Sequence, residues 1–142
     1  MKKIYFGIWL TLLFSSIGYA DEAADIKVVT LAKGSSSWDG AQLQLYPNGK
    51  PEITILRITI PTGKTLPMHK HPVINAGVLL SGELTVITKD NKQLLLKAGD
   101  PIIEVVDTWH YGKNTGKVPA EILVFYAGSQ GKPISVKKDW EH

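Results

Sequence analysis

The chain of 142 residues contains no cysteine at all and only four histidines. Without cysteine there is no disulfide framework, no thiolate zinc site, no thiol nucleophile and no iron–sulfur cluster, so a protein-bound metal would have to rest on histidine and carboxylate donors. Helical periodicity is also lacking, since past residue 20 no segment keeps apolar residues at the spacing of a helix face. Strong net charge is absent too. The formal charge is +3, and Lys2 and Lys3 supply two of the sixteen basic residues. Setting those two aside leaves fourteen basic against thirteen acidic groups, a nearly neutral body with no electrostatic footprint for nucleic acid or an anionic membrane.

Lys2 and Lys3 open a stretch with the build of an export signal. An apolar run follows from Ile4 to Phe14, and Gly18-Tyr19-Ala20 places small residues where a signal peptidase cuts, before Asp21. The run is broken by Ser15-Ser16 and Gly18 and falls short of the roughly 20 apolar residues that span a bilayer. Residues 1–20 are therefore expected to be a signal peptide, with the mature protein periplasmic or secreted and no longer associated with membrane. A chain without cysteine suits an oxidising compartment. Residues 21–40 are expected to form an N-terminal arm, and 41–142 a single β-barrel domain.

What the rest of the chain has in quantity is short β-prone runs. They are Ile26–Leu31, Ala41–Tyr46, Glu52–Ile60, Val73–Leu80, Glu83–Thr88, Gln93–Lys97, Pro101–Val106 and Glu121–Tyr126, separated by turn clusters such as Pro47-Asn48-Gly49, Pro61-Thr62-Gly63, Ser81-Gly82 and Asp90-Asn91. Such punctuation predicts an all-β sandwich or closed barrel. Between Ile53 and Ile60 the apolar alternation changes phase, which predicts a bulge near Leu56-Arg57.

Three of the four histidines fall in two clusters. His69 and His71 stand two residues apart, a spacing that puts both rings on one face of an extended strand with Cα atoms roughly 7 Å apart. His110 lies far along the chain, where antiparallel pairing can return it to the same place. His142 is the last residue and is expected to be frayed.

The surroundings of these histidines resemble the cupin superfamily. Its first motif, G-x5-H-x-H-x3,4-E-x6-G, is matched by Gly63, His69, His71 and Gly82, with Asn75 where the glutamate stands. Its second, G-x5-P-x-G-x2-H-x3-N, is matched by Gly99, His110 and Asn114, with Val105 and Asp107 in place of proline and glycine. The resemblance implies a double-stranded β-helix, the jelly-roll barrel of a single cupin domain, and one divalent metal ion held by His69, His71 and His110. A turn at Pro72-Val73 is required if Asn75 is to come near the imidazoles, because a chain kept extended past His71 would carry it roughly 13 Å away. Gly63, Gly82 and Gly99 sit where turns call for positive φ, and Asp107 is a residue that tolerates the left-handed conformation in the turn before His110.

Asn75 changes the chemistry that is expected. An amide is a neutral and weak donor to transition ions, so Asn75 is at most a weak fourth ligand or an outer partner, and three imidazoles remain as the main donors. Such a set can hold zinc, iron, copper, nickel or manganese. The expected function is that of an exported metal-binding cupin acting on a small organic molecule, with an oxygen-dependent, dioxygenase-like oxidoreductase as the enzyme class. The alternatives are a non-catalytic small-molecule or metal-binding module and a metal-dependent isomerase or lyase. No catalytic residue is assigned, and the expected partners are a small-molecule ligand and a second copy of the chain in a homodimer. Trp109 and Tyr111 flank His110, and strand alternation points both away from it. Glu83 and Glu104 read as solvent-facing strand residues, either one becoming a candidate base if it faced inward. Trp38, in the loop Trp38-Asp39-Gly40, reads as an aromatic anchor.

Overall fold

The computed structural model describes residues 25–138. The expected signal peptide and His142 lie outside the described residues. Among these residues nine strands form: β1 (Pro51–Ile60), β2 (His69–Lys70), β3 (Ile74–Ser81), β4 (Glu83–Thr88), β5 (Gln93–Lys97), β6 (Pro101–Ile103), β7 (His110–Lys113), β8 (Ala120–Ser129) and β9 (Val136–Lys137). No helix occurs among the described residues. The strands make two antiparallel sheets, ordered β1-β8-β3-β6 and β5-β4-β7-β2-β9. Apart from the β4–β5 hairpin, consecutive strands alternate between the sheets in the manner of a jelly roll, which is the all-β fold the sequence predicts.

Inward-facing side chains of both sheets meet in one core. Ile60 and Leu79 from the first sheet and Leu84, Val86 and Leu96 from the second are almost fully buried, joined by Ile122, Val124 and Tyr126 of β8. The last three show the period of two that a half-buried strand imposes. The tight corner between β3 and β4 depends on Gly82. Its φ is +75°, and a Cβ built there would stand 2.6 Å from the carbonyl oxygen of Pro119 and 2.8 Å from the Cα of Ala120. Only glycine fits. Gly63 and Gly99 also take positive φ, and Asp107 adopts φ 51°, the left-handed turn foreseen for it.

Three local expectations are corrected. The β1 strand has no bulge at Leu56-Arg57, because its pairing with β8 runs without a break from Pro51↔Ser129 to Ile60↔Ala120. The phase change has another cause: Ile53 and Ile55 lie on the outer face, 64% and 55% exposed, while Thr54, Leu56, Ile58 and Ile60 point in. The runs Ile26–Leu31 and Ala41–Tyr46 form no strand, apart from an isolated bridge of Gln42 to Ser36. Their β-branched and aromatic residues favour a sheet, but propensity acts only where a neighbouring strand is available to pack against. Conversely, β9 was not foreseen, being too short for alternation to show, and β2 and β7 lie outside the expected runs although the histidine spacing and alternation placed extended chain there.

Candidate metal centre

The site is assembled at one end of the barrel by register. His69 of β2 pairs directly with His110 of β7. His71 follows β2, and its carbonyl accepts a 2.8 Å bond from the backbone N–H of Asp107, so the turn before His110 is tied to the segment after His69. Lys70 and Asp107 add an ion pair at 3.3 Å on the solvent side. The ring centroids of the three histidines lie 4.4 to 5.0 Å apart. One ring nitrogen from each lies within 4.8 Å of the others, the only such cluster of metal-ligating side chains among the described residues.

Hydrogen bonding decides which nitrogens are free. Nδ1 of His69 lies 2.7 Å from the carbonyl oxygen of Pro67, Nδ1 of His71 2.8 Å from that of Ile134, and Nδ1 of His110 2.8 Å from that of Thr108. A carbonyl oxygen can only accept, so each Nδ1 carries the proton and donates it, and each Nε2 keeps a lone pair. Metal-ligating histidines have this arrangement, their second nitrogen tied to an acceptor that fixes tautomer and ring orientation. Burial pushes the imidazole of His71 down to about 4 and those of His69 and His110 below their ordinary range, because charging a ring here removes it from water. At neutral pH all three are neutral donors. Two donors about 2.1 Å from one ion can be at most about 4.2 Å apart. Three donors around one ion stand closer still, about 3.4 Å apart in a tetrahedral set, so the triad would draw in by about an ångström to hold a single divalent ion.

The histidines open onto a cavity of about 60 Å³, room for an ion and a few water-sized groups. Its wall is apolar over Ile58, Ile60, Leu84, Val86, Ile122 and Val124, and its polar members besides the histidines are Asn75, Glu104 and Tyr126. A cleft of about 190 Å³ lined by Leu56, Pro67, Ile134 and Lys137 shares His69, His71 and Tyr126 with the cavity. The chain bends at Pro72-Val73, as Asn75 requires, and Asn75 enters the cavity wall from β3. Its amide nitrogen donates to the carbonyl oxygen of Val73 at 3.3 Å, so part of the side chain serves that turn. Trp109 and Tyr111 line no part of the cavity. Trp109 instead lies under the Lys70 ammonium, 5.6 Å from the ring centroid.

Glu104 overturns its expected place on the surface. It is 8% exposed and faces the cavity. One carboxylate oxygen, Oε1, accepts bonds from the Trp38 indole at 2.9 Å and from the backbone N–H of Val105 at 2.8 Å. The other, Oε2, lies 3.9 Å from Nε2 of His110. Burial raises its pKa, and the two donors only partly oppose this. The signal was present in the sequence: Ile102 is a core residue, and Glu104 follows it at the strand period. Tyr126 escaped notice for a similar reason, being paired with Asn75 across β3 and β8 and in phase with Ile122 and Val124. Its ring meets His71 edge to face at 5.3 Å, and burial, followed by the nearby Glu104, pushes its hydroxyl up to about 12.

Residues 56–126, half of the chain, match the family described as the cupin domain. The chain is a cupin. Solved structures agree on the fold. A Klebsiella pneumoniae protein with a double-stranded β-helix domain superposes with a TM-score of 0.54 at 20% identity, over 66% of this chain and 89% of that one. A DMSP lyase from Ruegeria pomeroyi gives 0.53 at 20% identity over 70% of this cupin, which spans 47% of the lyase. An oxalate oxidase bound to glycolate gives 0.51 at 25% identity, over 82% of this chain and 66% of the oxidase. Among curated proteins none matches the sequence.

Proposed function

We propose that this cupin is an exported protein that holds one divalent transition ion, zinc, iron, copper, nickel or manganese, on His69, His71 and His110 and uses it in an oxygen-dependent oxidation of a small organic molecule. The observation that carries the metal reading is the bonding of all three Nδ1 atoms to backbone carbonyls, which leaves one nitrogen free on each ring of a cluster whose ligand atoms lie within 4.8 Å of one another. A bound iron or copper ion would supply redox chemistry there, and zinc would supply Lewis-acid chemistry. The chain's own part is to present neutral imidazoles, to exclude bulk water with the apolar wall and to restrict what enters to small molecules. The cupin neighbours named as acting on oxalate and DMSP are themselves enzymes of small organic acids, in keeping with this class of substrate.

The test is to load apo protein with each of the five metals and follow dissolved oxygen against a panel of small organic acids and carbonyl compounds. Oxygen uptake by the iron or copper form alone supports the reading. Turnover without oxygen uptake would move it to a lyase or isomerase, and failure of every form to bind metal would remove the site. Export is checked separately by intact mass from the exporting host, which should show a chain beginning at Asp21. We place a homodimer in the same reading because exposed Ile53, Ile55 and Phe125 on the outer sheet face and the unpaired run Ile26–Leu31 offer one copy both a partner strand and an apolar surface to the other. Sedimentation should give twice the chain mass.

A further inference from the structure

The cavity contains two unmatched halves of an electrostatic arrangement. Three neutral imidazoles around a divalent ion leave its whole double charge in a pocket walled by isoleucine, leucine and valine, and a bare charge in such surroundings is costly. In the same cavity Glu104 is buried with no lysine or arginine within ion-pairing distance among the described residues. Its other oxygen, Oε2, lies 3.9 Å from Nε2 of His110. That nitrogen bears a lone pair, because the ring proton is engaged by Thr108. Two electron-rich atoms thus face each other at a distance too long for a hydrogen bond and within the roughly 4.2 Å limit for two donors on one ion. A cation between them satisfies both.

We propose that Glu104 is the anionic ligand of the metal centre, supplied from the end of β6 where position 75 offers only an amide. This rests on the metal reading above and adds the donor that sets the charge of the site at +1 instead of +2. The carboxylate is aimed in advance: with Oε1 held by Trp38 and Val105, Oε2 is turned toward His110. Trp38 comes from the loop ahead of β1, tied to the end of β6 by the bond from its backbone N–H to the Ile103 carbonyl at 2.9 Å. The segment preceding the barrel therefore positions a ligand. A hard oxygen in the set favours manganese, iron or zinc over copper relative to a site of three imidazoles alone.

The experiment is cobalt titration of the apo protein, read by competition against a chelator and by the visible ligand-field bands, for wild type, Glu104→Gln and Glu104→Asp. Glutamine keeps the shape and an oxygen for Trp38 and Val105 but removes the charge. Wild type should bind one cobalt per chain, and Glu104→Gln should bind about 100-fold more weakly, the upper range for changes around a metal ligand, with its bands shifted. Glu104→Asp, which keeps the charge and shortens the reach, should fall between them. Equal affinity and an identical spectrum for wild type and Glu104→Gln would overturn the proposal while leaving the histidine site intact. No cobalt uptake by wild type would overturn the metal reading itself. Should Glu104→Gln not fold, the aspartate form decides alone, an unchanged spectrum and affinity counting against Glu104 as a ligand.

Discussion

Asn114 and the histidine triad are two buried polar clusters that meet in the segment carrying His110, and they differ in how much of their bonding capacity is used. The amide of Asn114 is wholly enclosed. It donates to the carbonyls of Ile60 and Val118, both at 2.9 Å, and accepts the N–H of Gly116 at 2.9 Å, which uses both donors and engages the oxygen with the chain's own backbone. Each histidine uses one nitrogen on the backbone and keeps the other, and Glu104 likewise uses one oxygen and keeps the other. A buried polar group whose nitrogen and oxygen are both bonded to the chain's own backbone serves architecture. One bonded on a single side, with the remaining lone pair turned into a cavity, is prepared for something that is not protein. Both kinds occur in the second motif, four residues apart, so membership of a motif does not separate them.

The contrast can be broken most forcefully at the triad. Changing His69, His71 or His110 to Ala should each reduce divalent-metal affinity by more than the 10–100-fold typical of groups that merely support a ligand, and the triple variant should retain no metal by elemental analysis while the apo protein still folds. Equal metal content in the triple variant and wild type would end the assignment. Asn114→Ala should do the reverse. Losing its bonds strands two carbonyls and an N–H in the interior, a cost of about 3 kcal/mol in unfolding free energy by urea titration, while metal uptake per folded chain stays unchanged.

Acid sharpens the comparison, because only one of the two clusters titrates. His71 has a folded pKa of about 4 against 6.5 unfolded, so between these values the unfolded chain binds the extra proton. Stability of the apo protein should be fully present above pH 6.5 and decline as the pH falls toward 4, by on the order of 3 kcal/mol from this residue. His69 and His110 are lowered too and act in the same sense. Glu104 is raised and opposes them, gaining stability as it protonates. Unfolding midpoints measured from pH 7 to 4 should therefore fall in wild type and fall less in His71→Ala. A smaller effect is expected from Asn75→Glu, which brings a second carboxylate to the cavity wall and should tighten manganese relative to copper. An unchanged ratio in competition titrations would remove Asn75 from the ion's surroundings. His142→Ala should change neither affinity nor stability.

How far each feature could be read in advance follows from the range of the interaction behind it. The paired runs Glu83–Thr88 and Gln93–Lys97 emerge with the boundaries expected, since a hairpin is a local object whose turn and alternation are adjacent in the chain. Ile26–Leu31 has the same local character and remains unpaired, because a strand exists only by virtue of its neighbour. Val136–Lys137 is strand for the opposite reason, being held by β2 without any pattern of its own. At the site, the spacing of His69, His71 and His110 already carried three donors.

Sequence alone therefore determined the all-β class, the turn positions that require positive φ, and the histidines that converge, since each rests on residue type at fixed local spacing. Tertiary structure decided the rest. It turned Glu104 from an apparent surface acid into a carboxylate facing His110, brought Trp38 across to hold it, and set Tyr126 opposite Asn75. These are contacts between segments far apart in the chain, and whether a glutamate meets water or an unshared lone pair depends on which sheet closes over it.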